Sequence, residues 1–513
     1  MSTSLKNRLP RTLAALALAS AGCAAAKAAP AASPLAPVEA AVREVATEAA
    51  QVRRSLVTVD VNYQDWAWDE PWRKKSPGTR SGSALVLPGG QLLTTANVVA
   101  GATLVELRRG NEQTPWRGKV VLADPLANLA LVAPEDAAFL EGLVPMEWAD
   151  TVPTASEGAK VAVYRYRSGR RLDAIPGTVV ELDATEPGSG LAQLLTLSAA
   201  VQMDGGGLGE LVVRDGKVAG LVLSKWGEKL SILPTVVLRP WLVDAARGDA
   251  RRGFAAAGWK WQSLSNPVLR AQLGVPKGRE GVLLTKVWPY ATGAGVLSDG
   301  DVLLSLGGKS IDARGNVEHP QFGPVRFGLL LSEGRLAGDD IDATIVHDKQ
   351  VRSLRLKLAP DAPNRRLVPA LLDGQPRYLV GAGLVFQELS LPWLRAFGDH
   401  APLRLSVFND LEGAFAGESR QRQVVLTQVL PDPTTVGYES QRGRLVSKVN
   451  GRAVQSLEQV AEALEAPQGG YVVVEFSDQP DRIVIDAKAA EAARERIIEA
   501  YQIAKDRNLA SSW

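Results

Sequence analysis

The sequence predicts a mainly β chain with short helices near its two ends, and three observations predict it. Short β-branched runs broken by Gly, Pro and Asp fill residues 53–248, a spacing that signals a barrel or sandwich of many short strands. After a hinge-like run, Arg247-Gly248-Asp249-Ala250-Arg251-Arg252-Gly253, strand-like segments resume in two further blocks, 254–360 and 367–486. Runs of strong helix formers stand at Val38–Val52 and Ala487–Leu509. At 513 residues, 46% hydrophobic and 22% charged, the chain has material for about three globular domains.

Lys6, Arg8 and Arg11 precede the apolar run Leu13–Ala19 and a stretch of small residues. This is the layout of a secretory signal peptide over residues 1–23, too short to span a membrane. Export to the periplasm or cell envelope is therefore expected. The single cysteine, Cys23, allows no internal disulfide. Its setting after Ser20-Ala21-Gly22 resembles a bacterial lipobox, without the usual leucine three places earlier. Lipid attachment at Cys23 and plain cleavage among the following alanines both stay open. Residues 24–52 read as a tether followed by a short amphipathic helix. A net charge of +2 with no clustered basic face argues against nucleic acid as a partner. No cluster of residues at ligand spacing points to a metal, and no cofactor is implied.

In the first block the expected strands are Ser55–Val61, Ser83–Leu87, Gln91–Thr94, Thr103–Arg108, Trp116–Ala123 and Ala130–Ala133, then Lys160–Arg165, Gly177–Leu182, Leu194–Ser198, Glu210–Val213 and Lys217–Leu223. Four segments between and after them carry the chemistry. They are Leu93-Thr94-Thr95-Ala96-Asn97, then Asp124-Pro125-Leu126-Ala127-Asn128-Leu129-Ala130-Leu131, then Asp204-Gly205-Gly206-Gly207-Leu208-Gly209-Glu210 ahead of an Asp215-Gly216 hairpin, and finally Ser231-Ile232-Leu233-Pro234. Their order, with Ser81–Leu87 before them, resembles the trypsin-like serine proteases of the HtrA/Deg family. The resemblance implies a chymotrypsin-like double β-barrel. It puts the catalytic histidine and aspartate positions at Asn97 and Asn128. The nucleophile position of the family's G-N-S-G-G-P-L loop falls at Gly207, or at Gly205 in the other register.

These residue types cannot perform acyl transfer, which needs a hydroxyl or thiol, a base to take its proton and an acid to orient the base. An asparagine amide is not a base near neutral pH, and glycine has no nucleophile. The three histidines, His319, His347 and His400, all lie beyond this domain. A lysine-dependent dyad, with Ser198, Ser224 or Ser231 served by Lys217 or Lys225, is the remaining route, against which stands the commoner role of lysine as a solvated surface residue. The glycine run is either a tight turn needing positive φ or a row of backbone N–H donors for a carboxylate or carbonyl. Three tryptophans, Trp66, Trp68 and Trp72, crowd a polar loop that could anchor a partner, plug the barrel or cover the cleft.

The two later blocks resemble PDZ domains of the HtrA/Deg type, at 254–360 and 367–486, in the subgroup with two PDZ domains known from plant organelles and bacteria. The first carries Gly281-Val282-Leu283-Leu284 and Gly300-Asp301-Val302-Leu303-Leu304. The second carries Ala382-Gly383-Leu384-Val385-Phe386, Gly437-Tyr438-Glu439 and Val449-Asn450-Gly451. The resemblance implies that a peptide carboxy terminus adds a strand beside Arg279, Glu280, Gly281, Val282, Leu283 and Leu284. It also implies partners that are peptide termini or unfolded proteins, and assembly into a homo-oligomer, a trimer or larger. Residues 487–513 should close the chain with a helix. The expected function is that of an exported, non-catalytic HtrA/Deg-like scaffold, adaptor or holdase. The alternatives are an endopeptidase with a non-standard nucleophile and a structural partner of an active paralogue.

Overall fold

Twelve strands of the first block close into two six-stranded antiparallel barrels. The computed structural model describes residues 46–510 apart from 111, 156–157, 168–170, 187–190, 363–364, 371–373, 399–402, 411–421 and 478–479. The signal peptide, Cys23, most of the tether and His400 lie outside the described residues. Met1–Glu48 forms one unit, of which the described part, 46–48, is helical; Ala49–Trp513 forms the other and holds everything below.

The first barrel runs β1 (Leu56–Tyr63), β2 (Gly78–Val86), β3 (Leu92–Thr94), β4 (Ala102–Arg109), β5 (Trp116–Asp124) and β6 (Leu129–Pro134), in the order β1-β2-β3-β6-β5-β4. β1 shows why it forms. Val57, Val59 and Val61 are buried while Thr58 and Asp60 between them are less so, the two-residue period of a strand covering a core on one face. The second barrel runs β7 (Lys160–Tyr166), β8 (Leu172–Thr185), β9 (Leu194–Val201), β10 (Leu211–Arg214), β11 (Lys217–Trp226) and β12 (Lys229–Pro234), in the order β10-β11-β12-β9-β8-β7. β12, which contains the Ser231–Pro234 motif and is not among the strands expected from the sequence, joins β11 to β9 within the barrel.

The helix Thr235–Ala245 leads from the second barrel to the hinge. Its buried Asp244 accepts hydrogen bonds from the backbone N–H groups of Arg252 and Gly253. The turn that would otherwise be a loose linker is thereby fixed. Arg252 in turn bonds Asp339 of the second domain at 2.6 Å. The Leu336 N–H holds the Asp339 carboxyl below its ordinary pKa against a smaller opposing effect of burial, with Arg252 adding to the lowering. A lowered folded-state pKa stabilises above the unfolded value, and that contribution is lost as pH falls through the lowered one. Asp339→Asn should therefore lower stability on the neutral plateau and converge on the wild type well below about pH 4, so that its acid limb is flatter, as measured by urea unfolding at stepped pH.

The second domain holds β13 (Ala255–Ala256), β14 (Trp259–Ser263), β15 (Val282–Val287), β16 (Val302–Leu306), β17 (Lys309–Ser310), β18 (Asn316–His319), β19 (Gly323–Arg326), β20 (Asp340–His347), β21 (Gln350–Lys357) and β22 (Ala359–Pro360). Its main sheet is ordered β14-β15-β16-β20-β21, with β17 on β16. β13 pairs with β22, so the first and last residues of the domain lie side by side. The third domain holds β23 (Tyr378–Gly381), β24 (Leu384–Glu388), β25 (Val424–Val429), β26 (Arg444–Val449), β27 (Arg452–Ala453), β28 (Tyr471–Phe476), β29 (Arg482–Asp486) and β30 (Arg507–Asn508). Its sheet repeats the second domain's order as β24-β25-β26-β28-β29, with β27 on β26. It differs at one edge, where β23 and then β30 lie outside β24.

The closing helix is shorter than its composition predicts. It runs Ala487–Ala500, capped by Asp486 accepting from the Ala489 N–H at 2.7 Å. Gln502 then takes φ +52°, a left-handed turn that reverses the chain and returns it as β30. Helix propensity from Gln502 to Leu509 yields to pairing with β23 and to Arg377, which donates to the Leu509 carbonyl at 2.9 Å.

The tryptophan loop neither plugs the barrel nor stands exposed: it docks on the third domain. Trp72 is buried against Tyr378, their ring centroids 6.3 Å apart, and its indole N–H donates to the Tyr501 carbonyl at 3.2 Å. Arg73 reaches the same carbonyl at 3.1 Å. Gln387 donates to the Trp68 carbonyl at 3.0 Å, and Trp68 packs on the Trp393 cluster.

Candidate functional site

The structure brings the two asparagines together. Asn97 sits in a one-turn helix, Ala96–Val99, between β3 and β4, and Asn128 in the turn before β6. The Asn128 amide oxygen accepts from the Asn97 backbone N–H at 3.0 Å, and Thr95 Oγ1 is 2.5 Å from the Asn97 amide oxygen. Arg80 donates to the Asn97 carbonyl while its guanidinium lies over the Tyr63 ring, 3.8 Å from its centroid. Asn128 has φ +54°, which asparagine tolerates better than most residues. The pair is a neutral hydrogen-bonded joint between two loops of the first barrel, and neither amide is a proton acceptor for catalysis.

Asp124, at the start of the same motif, has a role that its place in the sequence does not reveal. It is buried, and its Oδ1 accepts from the Leu126 and Ala127 N–H groups, building the turn that presents Asn128. Its Oδ2 accepts from the Trp241 indole at 2.8 Å and from Arg251 at 2.5 Å. One carboxylate thus ties the first barrel to the helix and hinge behind the second.

The glycine turn spans the two barrels. Ser83 of β2 donates its N–H to the Leu208 carbonyl, and the Gly209 N–H bonds Val222 of β11. Gly205, Gly206, Gly207 and Gly209 all have positive φ, between +62° and +98°. At Gly207 the constraint is double. With φ +93°, a Cβ there would stand 2.7 Å from the Lys225 backbone nitrogen and 3.1 Å from the Ser224 carbonyl carbon. No side chain fits at 207 without moving β11. At Gly205 a Cβ would meet open space.

The N–H groups of this turn are already used. Gly207 N–H reaches both carboxylate oxygens of Glu210, at 2.9 and 3.1 Å, and Leu208 N–H reaches Oε2 at 2.9 Å. Glu210 is 3% exposed. The donors that could hold an oxyanion or a peptide carbonyl therefore hold a carboxylate of the same chain. Its sequence signal was a charged residue at the place where the family's G-N-S-G-G-P-L loop has proline.

The lysine route lacks geometry as well. Ser224 pairs with Ser231 and Ser231 with Ser198, so the three hydroxyls share one face of neighbouring strands. Lys225 is adjacent to Ser224 and pairs with Leu230, which puts it on the other face. Lys217 lies at the far end of β11, bonded to Glu147 at 3.1 Å.

In the second domain the residues proposed to receive a peptide do not form a free edge. Val282, Leu283 and Leu284 belong to β15, which pairs with β14 on one side and with β16 on the other. Glu280 accepts from the Ala313 N–H at 2.9 Å, Arg279 is exposed, and Gly281 has φ +143° with Leu303 O 2.5 Å from where a Cβ would stand. A bulky residue at 281 would thus break the sheet before it tested binding. The sheet ends on β14 and β21, and β14 pairs with no further strand among the described residues. β14 faces the Phe327–Leu331 turn across a groove of about 460 Å³ lined by Gly258, Trp259, Trp261 and Phe327. Gln193 of the barrel closes one side: its carbonyl accepts from Ser332 at 2.5 Å, and its side chain would meet a Cβ at Gly328. In the third domain the matching edge, that of β24, is covered by β23 and β30.

Sequence similarity to known proteins extends over most of the chain. A family model of the PDZ domain matches residues 368–509. The chloroplastic protease Do-like 2 of Arabidopsis thaliana is 27% identical over 445 residues, 85% of this chain and 72% of its own length. The putative protease Do-like 13 of the same plant is 24% identical over 471 residues, covering 91% and 90%. A serine protease DegP homologue of Plasmodium falciparum is 24% identical over 229 residues, covering 42% and 26%. Among solved structures, the HtrA-type protease AlgW with a decapeptide is 16% identical, with 62% of this chain and 98% of that one covered at a TM-score of 0.46.

Proposed function

We propose that this homologue of the Deg/Do-like proteases, a double β-barrel with a closing PDZ domain, is an exported, non-catalytic protein that binds peptides or unfolded segments as a scaffold, adaptor or holdase. The observation that carries the reading is Gly207. Its bare Cα is fixed by positive φ and by the backbone of β11, and its N–H is held by Glu210. The neutral asparagine pair supports it, since the amides at 97 and 128 are not bases. Export rests on the apolar run behind Lys6, Arg8 and Arg11.

Peptide binding is assigned to the outer edge of β14, where an extended chain can add a strand against aromatic side chains. The wild-type chain should leave unfolded casein intact, with or without a serine-reactive phosphonate. The triple variant Asn97→His, Asn128→Asp, Gly207→Ser should be equally inert, because the side chain at 207 has no room. Casein turnover abolished by one Ser→Ala change in the barrel would establish the endopeptidase alternative instead. Carboxy-terminal peptides should bind the full chain by fluorescence anisotropy, and Trp261→Ala should weaken them about tenfold. No binding by the wild type would favour a purely structural subunit.

A further inference from the structure

The cleft between the barrels has a volume of about 590 Å³ and brings together Thr58, Ser81 and Ser83 of the first barrel with Arg165, Gly206 and Glu210 of the second. Two of these are buried charges, Glu210 and Arg165, and the proposed function uses only the cover that Glu210 gives the Gly207 N–H. Glu210 is almost fully buried, accepts three N–H contacts from the glycine turn, and has no cationic nitrogen within ion-pair distance among the described residues. Arg165, at the end of β7, is 9% exposed, and its Nε has no hydrogen-bond partner. Both charges lie against the same glycine: a Cβ at Gly206 would stand 2.7 Å from Glu210 Oε1 and 3.1 Å from Arg165 Nη1. The opposite charges thus face one another across a bare Cα. The other charges around the cleft are compensated or solvated, with Asp60 bonded to Arg108 and Ser81, Arg167 to Asp173, and Asp204 exposed.

A row of backbone N–H groups in a positive-φ turn is a concavity for anions. A buried carboxylate is stable only where such donors and a nearby cation replace its water. We infer that the glycine turn and Arg165 form a carboxylate-binding site, and that Glu210 is its resident intramolecular ligand. The ligand class follows from what fills the site: a carboxylate, reaching the turn with two oxygens. A peptide carbonyl entering the cleft finds the donors taken. A ligand gains the site only by presenting a carboxylate of its own, such as a chain terminus, in place of Glu210. The inference rests on the non-catalytic reading only for its bearing on the cleft.

The test is chemical rescue in the full chain. Glu210→Ala should lower the thermal midpoint, and sodium acetate should restore part of the loss saturably, while sodium chloride at equal ionic strength should not. The wild type should show no saturable acetate response, and Glu210→Ala combined with Arg165→Met should lose it. No acetate-specific recovery, or the same response in wild type and variant, would overturn the site. Should Glu210→Ala fail to fold, Glu210→Gln keeps the side chain's size. Amide exchange over the peptide containing Gly207 and Leu208 should then accelerate at least about tenfold over wild type, as expected when charge-assisted bonds become neutral ones; an unchanged rate would overturn the inference. Casein turnover by the wild-type chain would end the non-catalytic reading and leave the rescue result standing.

Discussion

Asp124→Ala should destabilise the first domain by about 3–5 kcal/mol, the usual cost of removing one member of a buried ion pair and stranding the other. Arg251, four-fifths buried, and the Trp241 indole both lose their acceptor. The Leu126 and Ala127 N–H groups lose theirs in the same step, so the turn holding Asn128 loosens. Asp124→Asn keeps the shape and an acceptor and should cost less. Urea unfolding followed by tryptophan fluorescence measures both, since Trp241 reports on the site itself. A loss below about 1 kcal/mol for Asp124→Ala, the size of one ordinary hydrogen bond, would show that the carboxylate does not join the barrels.

Trp72→Ala should have a comparable effect at a different place. Truncating a buried tryptophan typically costs about 3–5 kcal/mol, and here the lost contacts are with Tyr378 and the Tyr501 carbonyl. The cost falls on the docking of the third domain and not on the barrel core, because the Trp72 cluster is built from third-domain residues such as Val380, Val385 and Ile497. Calorimetry should show the third domain melting as a separate, earlier transition, and trypsin should release the carboxy-terminal third sooner than from the wild type. A single cooperative transition unchanged in position would mean that the loop does not hold the domain.

Much of the architecture could be read from the residues because it depends on local pattern. The barrel strands announce themselves through β-branched runs with a two-residue period, as in Val57, Val59 and Val61. That Asn97, Asn128 and Gly207 offer neither a base nor a nucleophile is likewise a matter of residue type. What could not be read depends on contacts distant in sequence or on backbone conformation. The Trp72 contact with Tyr378 joins a loop of the first barrel to β23 of the third domain, far along the chain, and nothing near Trp72 distinguishes it from a plug for its own barrel. Glu210 reads as the first residue of a strand until the turn folds its carboxylate back onto the N–H groups of Gly207 and Leu208. The strand at Val282–Leu284 reads as a binding edge through its resemblance to the peptide-binding strand of PDZ domains, but edge status belongs to the sheet order, and there β14 lies outside it. The final helix stops at Ala500 because pairing with β23 outweighs propensity.

The pairing of β13 with β22 places the entrance and exit of the second domain side by side. The third domain therefore hangs from the barrel pair through its own dock at Trp68 and Trp72 and does not depend on the second domain as a spacer. In modular terms, residues 255–360 are an insert with a single doorway, seated on the second barrel through a shared apolar core and the Ser332 contact with Gln193.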